Sequence, residues 1–189
     1  MIAEGDETRF SLWTNRRSGD GFIMTTTQIK VERFSRTSRK PFRDVLAGLD
    51  MAVGHPDMGE FRKRVSATQT LSELEQVIHS AIGQSGFMEF TRFDHGEVVR
   101  KGETSGKRGI MRLVVGNPLI MRQMVQHMPD AGSYAPVTIL VDERPDGVHL
   151  SYDRMASFLA PYGNAEALKV AQDLDSKVEA LLALGMVPK

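Results

Sequence analysis

The stretch from Gly109 to Pro129, GIMRLVVGNPLIMRQMVQHMP, constrains the fold of this chain more than any other. Its first half, Gly109–Val115, is almost continuously apolar, which predicts a strand with cover on both faces. Asn117 then has the side chain that caps a helix, and Pro118 fits the first helical position, where its missing N–H costs nothing. Met121, Met124, Val125 and Met128 recur at helical spacing and predict one apolar side, and Pro129 ends the segment. A strand that turns tightly into an amphipathic helix is therefore expected at the centre of the chain.

The rest of the chain is read around that unit. Gln28–Phe34 alternates, with Ile29 and Val31 opposite Lys30 and Glu32, and predicts a half-buried strand. Thr37, Ser38 and Pro41 announce a helix whose inner side holds Phe42, Val45, Leu46, Leu49 and Val53, and Gly54-His55-Pro56 stops it. Residues 57–69 read as a polar link. Thr70 with Glu73, and Ser72 with Glu75, have the capping-box spacing, and Leu74, Val77, Ile78, Ala81 and Ile82 form the stripe of the helix that follows. Phe87–Phe93 is the next strand, closed by Asp94-His95-Gly96. Residues 98–108, VVRKGETSGKR, read as a short continuation and then a mobile loop.

Val137–Glu143 and Val148–Asp153 form a hairpin about Pro145-Asp146-Gly147, since proline fixes φ and glycine supplies the unusual conformation a tight turn needs. Asn164 caps a final helix with Leu168, Ala171, Leu174, Val178, Leu181 and Leu182 inward, and Gly185 follows its end. The predicted order is β-α-α-β-β-α-β-β-α. Short turns between neighbouring strands favour an α+β fold with an antiparallel sheet and helices packed on one face. Residues 1–26 are expected to be a flexible extension that docks through Phe10, Leu12 and Trp13, with Met24 an alternative start. Residues 27–185 are expected to form a single domain.

Composition narrows the functions. Lys plus Arg equals Asp plus Glu at 24 each among 189 residues, so the basic excess that phosphate neutralisation requires is missing and nucleic acid is not an expected partner. The absence of cysteine removes disulfides, thiolate metal sites and cysteine nucleophiles together, and fits a reducing compartment. No apolar run is as long as a membrane span, and the first residues lack a signal-peptide layout, so a cytoplasmic protein without a membrane partner is expected.

RFDHGEVV, RLVVGNPLIMRQM and YAPVTILVDERPDGVHLSYD, in that order and spacing, resemble the bacterial family called domain of unknown function 302. The resemblance runs from about Thr27 to Leu184. It implies a curved antiparallel sheet backed by helices, of the TATA-box-binding-protein-like kind, and a homodimer with no agreed activity. Some members continue the second hairpin strand with Asp-Pro, whereas here Asp153 precedes Arg154.

Asp94 and His95 are the most chemical-looking pair, because a histidine beside a carboxylate is suited to acid–base work near neutral pH. The alternative is structural: a strand end whose side chains bond to turn amides, with neighbours facing opposite ways. Asn117 can hold a ligand at a helix N-terminus or simply cap the helix. The methionines Met111, Met121, Met124 and Met128 suit an adaptable apolar pocket, a dimer face or plain core. The five histidines lack close metal-ligand spacing, and no phosphate-cradling glycine loop or Gly-x-Ser-x-Gly elbow occurs, so neither metal nor cofactor is expected. The reading reached from the residues is a non-enzymatic homodimer that binds a small, partly apolar molecule between sheet and helix, through Asp94, His95, Arg112, Asn117 and Tyr152. Its rivals are an enzyme using His95 as the acid–base group with Asp94 orienting it, and an interaction module with no ligand.

Overall fold

The computed structural model describes residues 25–101 and 108–185. The N-terminal docking residues, the alternative start and most of the loop after Lys101 lie outside the described residues. Within the described residues five strands form one open antiparallel sheet: β1 (Arg33–Ser38), β2 (Met88–Asp94), β3 (Ile110–Gly116), β4 (Val137–Arg144) and β5 (Gly147–Asp153), in the spatial order β1-β5-β4-β3-β2. Among the described residues seven α-helices accompany it: α1 (Phe42–Ala52), α2 (Met58–Ala67), α3 (Leu71–His79), α4 (His95–Arg100), α5 (Pro118–Val125), α6 (Met155–Leu159) and α7 (Ala165–Leu184). The α+β class with an antiparallel sheet and packed helices is as expected.

Alternation along each strand decides which face is covered. Leu113, Val115, Val137, Ile139, Val141, Val148 and Leu150 are buried beneath the helices. Against them α7 sets Ala171, Leu174, Val178, Leu181 and Leu182, and α1 sets Val45, Leu49 and Ala52. Each large aliphatic side chain in this layer contributes about 1.5–3 kcal/mol through burial. A smaller core joins α2 and α3 to the first residue of β2 through Phe61, Val77, Ile78, Ala81 and Met88. Among the described residues the opposite face, with Arg112 on β3, Thr138 and Leu140 on β4 and Ser151 on β5, lacks the helical layer that covers the first, and α6 reaches only its end, through Phe158 beside Ser151. β3 is thus covered on one face only, not on both. Arg112 interrupts its apolar run on the open side, where Ile110 and Val114 are half-buried.

The first strand also sits further along than its alternation suggests. Val31 is 43% exposed, and pairing runs from Arg33 opposite Asp153 to Ser38 opposite Val148. At a sheet edge the partner strand sets the register, and the polar sequence RFSRTS tolerates the position. The polar link at 57–69 is largely the helix α2. Asp57 caps it, accepting from the Glu60 amide at 2.8 Å, and Phe61 is its one buried residue. A single apolar anchor leaves no stripe to detect, although Asp57-x-x-Glu60 has the spacing of a helix start. Likewise α4 occupies residues expected to continue a strand. The Thr70–Glu73 capping box at the start of α3 forms in both directions as its spacing predicts.

Candidate functional site

The turn from β3 into α5 forms as the sequence specifies. Asn117 Oδ1 accepts from the Leu119 amide at 2.9 Å, and Pro118 opens the helix. The other end of the same side chain donates from Nδ2 to the Gly86 carbonyl at 2.9 Å, which ties the turn to the loop before β2. Ile120 and Met124 face inward from α5, and Met124 is fully buried.

Beside this turn lies a cavity of about 230 Å³ between the end of the sheet and α5. Met121, Met124, Ile120 and Leu174 wall its helical side, and Phe90 and Pro136 close it from the sheet end. Among the lining residues Asn117 brings the one polar side chain. Phe90 reaches this place because a register shift between Glu89 and Thr91 sets it outside the regular pairing of β2 with β3.

A second cavity of about 470 Å³ opens on the uncovered face of the sheet, at the end where β4 starts and β5 finishes. Thr138, Leu140 and Ser151 contribute from the strands, Arg112 stands on one side and Phe158 of α6 on the other. The Tyr134 ring stacks on Phe158 with centroids 4.9 Å apart, and its hydroxyl meets that of Tyr162 at 2.7 Å. Burial, with the Tyr162 contact behind it, pushes the Tyr134 phenol up to about 12, so it stays neutral at physiological pH.

The five residues singled out by the sequence divide among these places. Asn117 lines the first cavity and Arg112 the second. His95 stacks on Phe93, with ring centroids 6.2 Å apart and planes 8° from parallel, and Arg112 stands over the same Phe93 ring at 5.9 Å. Phe93 and Arg112 are directly opposite in the β2–β3 register, which is why histidine and arginine share one array on the open face. Arg112 Nη2 continues the array by donating to Thr138 Oγ1 at 3.3 Å.

Asp94 turns elsewhere. Its Oδ1 accepts from the Glu97 amide at 2.8 Å as the cap of α4, and its Oδ2 meets Arg100 Nη2 at 3.2 Å. The Glu97 amide, and behind it the Arg100 guanidinium, hold the Asp94 carboxyl below the usual carboxylate range. No hydrogen bond joins Asp94 to His95, so the geometry does not form the oriented dyad that acid–base chemistry would use.

Tyr152 also borders the second cavity, but its hydroxyl faces the core. It donates to Asp175 Oδ1 at 2.6 Å and accepts from the Met155 amide at 3.1 Å. Burial pushes both the Tyr152 phenol and the Asp175 carboxyl upward. Among the described residues no cluster of three or more acidic or histidine side chains is placed to hold a metal ion, and no helix is long and apolar enough to cross a membrane.

Several lining residues escaped the sequence reading. Phe90, Pro136 and Leu174 come to the first cavity from separate parts of the chain, and Thr138, Ser151 and Phe158 to the second, so no local spacing marks them. Thr138 and Ser151 did carry one signal. Each stands between two buried apolar neighbours, Val137 and Ile139 for Thr138 and Leu150 and Tyr152 for Ser151, and alternation puts it on the opposite face.

The fold is similar to a solved structure, that of an uncharacterized conserved protein DUF302 from Bacillus stearothermophilus. The match covers 80% of this chain and 96% of that one, with a TM-score of 0.57 and 12% sequence identity. At that identity the likeness is one of fold alone. No curated protein matches the chain. The model of the family described as "Domain of unknown function DUF302" matches residues 61–184, from α2 through α7 and well over half of the sequence. The chain therefore belongs to the DUF302 family.

Proposed function

We propose that this domain is a non-enzymatic binder of a small, largely apolar molecule, held beside the β3–α5 turn, and that it works as a cytoplasmic homodimer. The observation that carries the reading is the cavity of about 230 Å³ between sheet and helix, lined by Met121, Met124 and Ile120 with Asn117 at its rim. Its volume is below the ~300–1,000 Å³ of pockets for drug-sized ligands, so the ligand is smaller than those. Methionine walls adapt to shape, which suits an apolar guest. Asn117 can orient such a guest. Its amide uses one hydrogen for Gly86 and one lone pair for Leu119, leaving one of each for a ligand.

Phe93 on β2, with Val98 and Val99 on α4, supports the dimer. These are large apolar side chains, 46%, 71% and 43% exposed, gathered at one edge of the sheet where a second copy would cover them. The acid–base alternative is less favoured, because Asp94 serves α4 and Arg100 instead of His95.

Native mass spectrometry of the protein as purified tests both halves of the proposal. The expected spectrum is a dimer carrying a small additional mass, lost in Met121→Trp, whose indole fills the cavity. A bare monomer, or an added mass that persists in Met121→Trp, would refute the reading.

A further inference from the structure

We propose that the second cavity, on the uncovered face of the sheet, binds small organic carboxylates with an apolar body, and that Arg112 is the group that holds the carboxylate. This goes beyond the apolar site at the β3–α5 turn and does not depend on it.

The charges around this cavity are unevenly matched. Arg33 and Asp153 satisfy each other through two parallel bonds, Nε to Oδ1 at 2.6 Å and Nη2 to Oδ2 at 2.8 Å. Arg112 has no such partner, since no carboxylate among the described residues lies within ion-pairing distance of it. Its contacts are the face of Phe93 and the hydroxyl of Thr138. These two contacts hold the guanidinium in place and leave most of its N–H groups unbonded, and that planar fork matches a carboxylate oxygen pair. An arginine held by an aromatic face and a hydroxyl loses less side-chain freedom on binding than one free in solvent.

The surroundings select the rest of the ligand. Arg112 lies opposite Leu140, and Leu140 lies opposite Ser151, so one row across the sheet runs from cation to apolar side chain to hydroxyl. The stacked Tyr134 and Phe158 rings line the same cavity and offer an apolar surface to the body of a ligand. The volume of about 470 Å³ falls inside the ~300–1,000 Å³ of small-molecule pockets. With Arg33 and Asp153 cancelling, the described residues that line the cavity present one net positive charge. A monoanion neutralises that charge, whereas a dianion would leave an uncompensated negative charge beside the carboxylate of Asp153.

The test uses the full chain, with hexanoate and its uncharged analogue hexan-1-ol as probes, followed by backbone amide shifts in NMR titrations. Hexanoate is expected to shift the amides of Thr138, Leu140 and Ser151 saturably, and hexan-1-ol to bind at least about tenfold more weakly. Arg112→Ala removes the charged donor that meets the carboxylate and is expected to weaken hexanoate about tenfold to a hundredfold. Arg112→Ala should leave hexan-1-ol unchanged, and Arg112→Lys should restore part of the loss. Because Arg112 is exposed, both variants are expected to keep the wild-type spectrum away from the cavity. The proposal is overturned if no saturable shift occurs, if acid and alcohol bind alike, if Arg112→Ala leaves hexanoate affinity unchanged, or if the shifts centre on Ile120 and Met124 beside the other cavity.

Discussion

The phenol of Tyr152, near the end of β5, donates a 2.6 Å hydrogen bond to the carboxylate of Asp175 in the middle of α7. The same carboxylate accepts from the amides of Met155 at 2.7 Å and Ala156 at 3.1 Å, so one side chain gathers three donors at the start of α6. Asp175 is 4% exposed within a helix that otherwise buries aliphatic residues. A carboxylate in such a position is tolerable only because its partners replace water.

Removing the acceptor leaves those donors buried and unsatisfied. Asp175→Ala is expected to destabilise the fold by about 2–4 kcal/mol in urea unfolding. Tyr152→Phe, which leaves Asp175 bonded to both amides, is expected to lose about 1 kcal/mol. The pH dependence follows from burial, which raises the Asp175 carboxyl in the folded state. The folded protein then binds this proton more tightly than the unfolded chain does. The associated stability is full below the unfolded carboxylate value and is lost as pH rises through the folded one. Across that window the slope of stability against pH is expected to be less positive in the wild type than in Asp175→Asn. Equal slopes would show that the site does not titrate there.

Asn117 works at both ends of its amide. Asn117→Asp keeps the acceptor for Leu119 but loses the donor to Gly86, whereas Asn117→Ala loses both. Loss of the cap is worth about 1 kcal/mol and loss of the second bond a similar amount. The expected order of stability by urea unfolding is wild type, then Asp, then Ala. An alanine variant as stable as the wild type would show that neither bond matters.

Gly54 and Gly83 lie where the end of α1 crosses the loop after α3. Both amides donate to the Phe87 carbonyl, at 2.9 and 2.8 Å. A Cβ on Gly54 would stand 2.0 Å from the Ala81 carbonyl oxygen, and one on Gly83 would stand 2.4 Å from that of Ala52. The obstacles are backbone atoms, which cannot step aside as a side chain can. Gly54→Ala and Gly83→Ala are each expected to cost about 3 kcal/mol, the upper part of the range for overpacking. Gly86→Ala probes another mechanism, since nothing lies within 4 Å of its Cβ position but its φ of +79° disfavours any side chain. It is expected to cost only about 1 kcal/mol. Equal losses at all three positions in thermal or urea melts would contradict this account.

Residues 117–125 specified their own helix start. The cap at Asn117 and the proline at the first turn depend on partners within a few residues, so spacing alone specifies them. The same locality made the capping box of α3, the hairpin turn before Gly147 and the inner stripe of α7 legible. Weak local signals were lost. α2 has one buried anchor, and α4 follows a strand without a break, its start set by the Asp94 cap. The tertiary structure decided the rest, because it depends on segments far apart in the chain. The partner strand β5 fixed the register of β1. Pairing with β2 put Arg112 over Phe93 on an uncovered face, while Asp94 turned to α4 and Tyr152 to Asp175. Both cavities are bounded by residues brought together from several elements, with Phe90, Pro136 and Leu174 meeting beside Asn117. Local spacing fixes a helix start through bonds a few residues long, but a cavity exists only where distant side chains fail to fill the space between them.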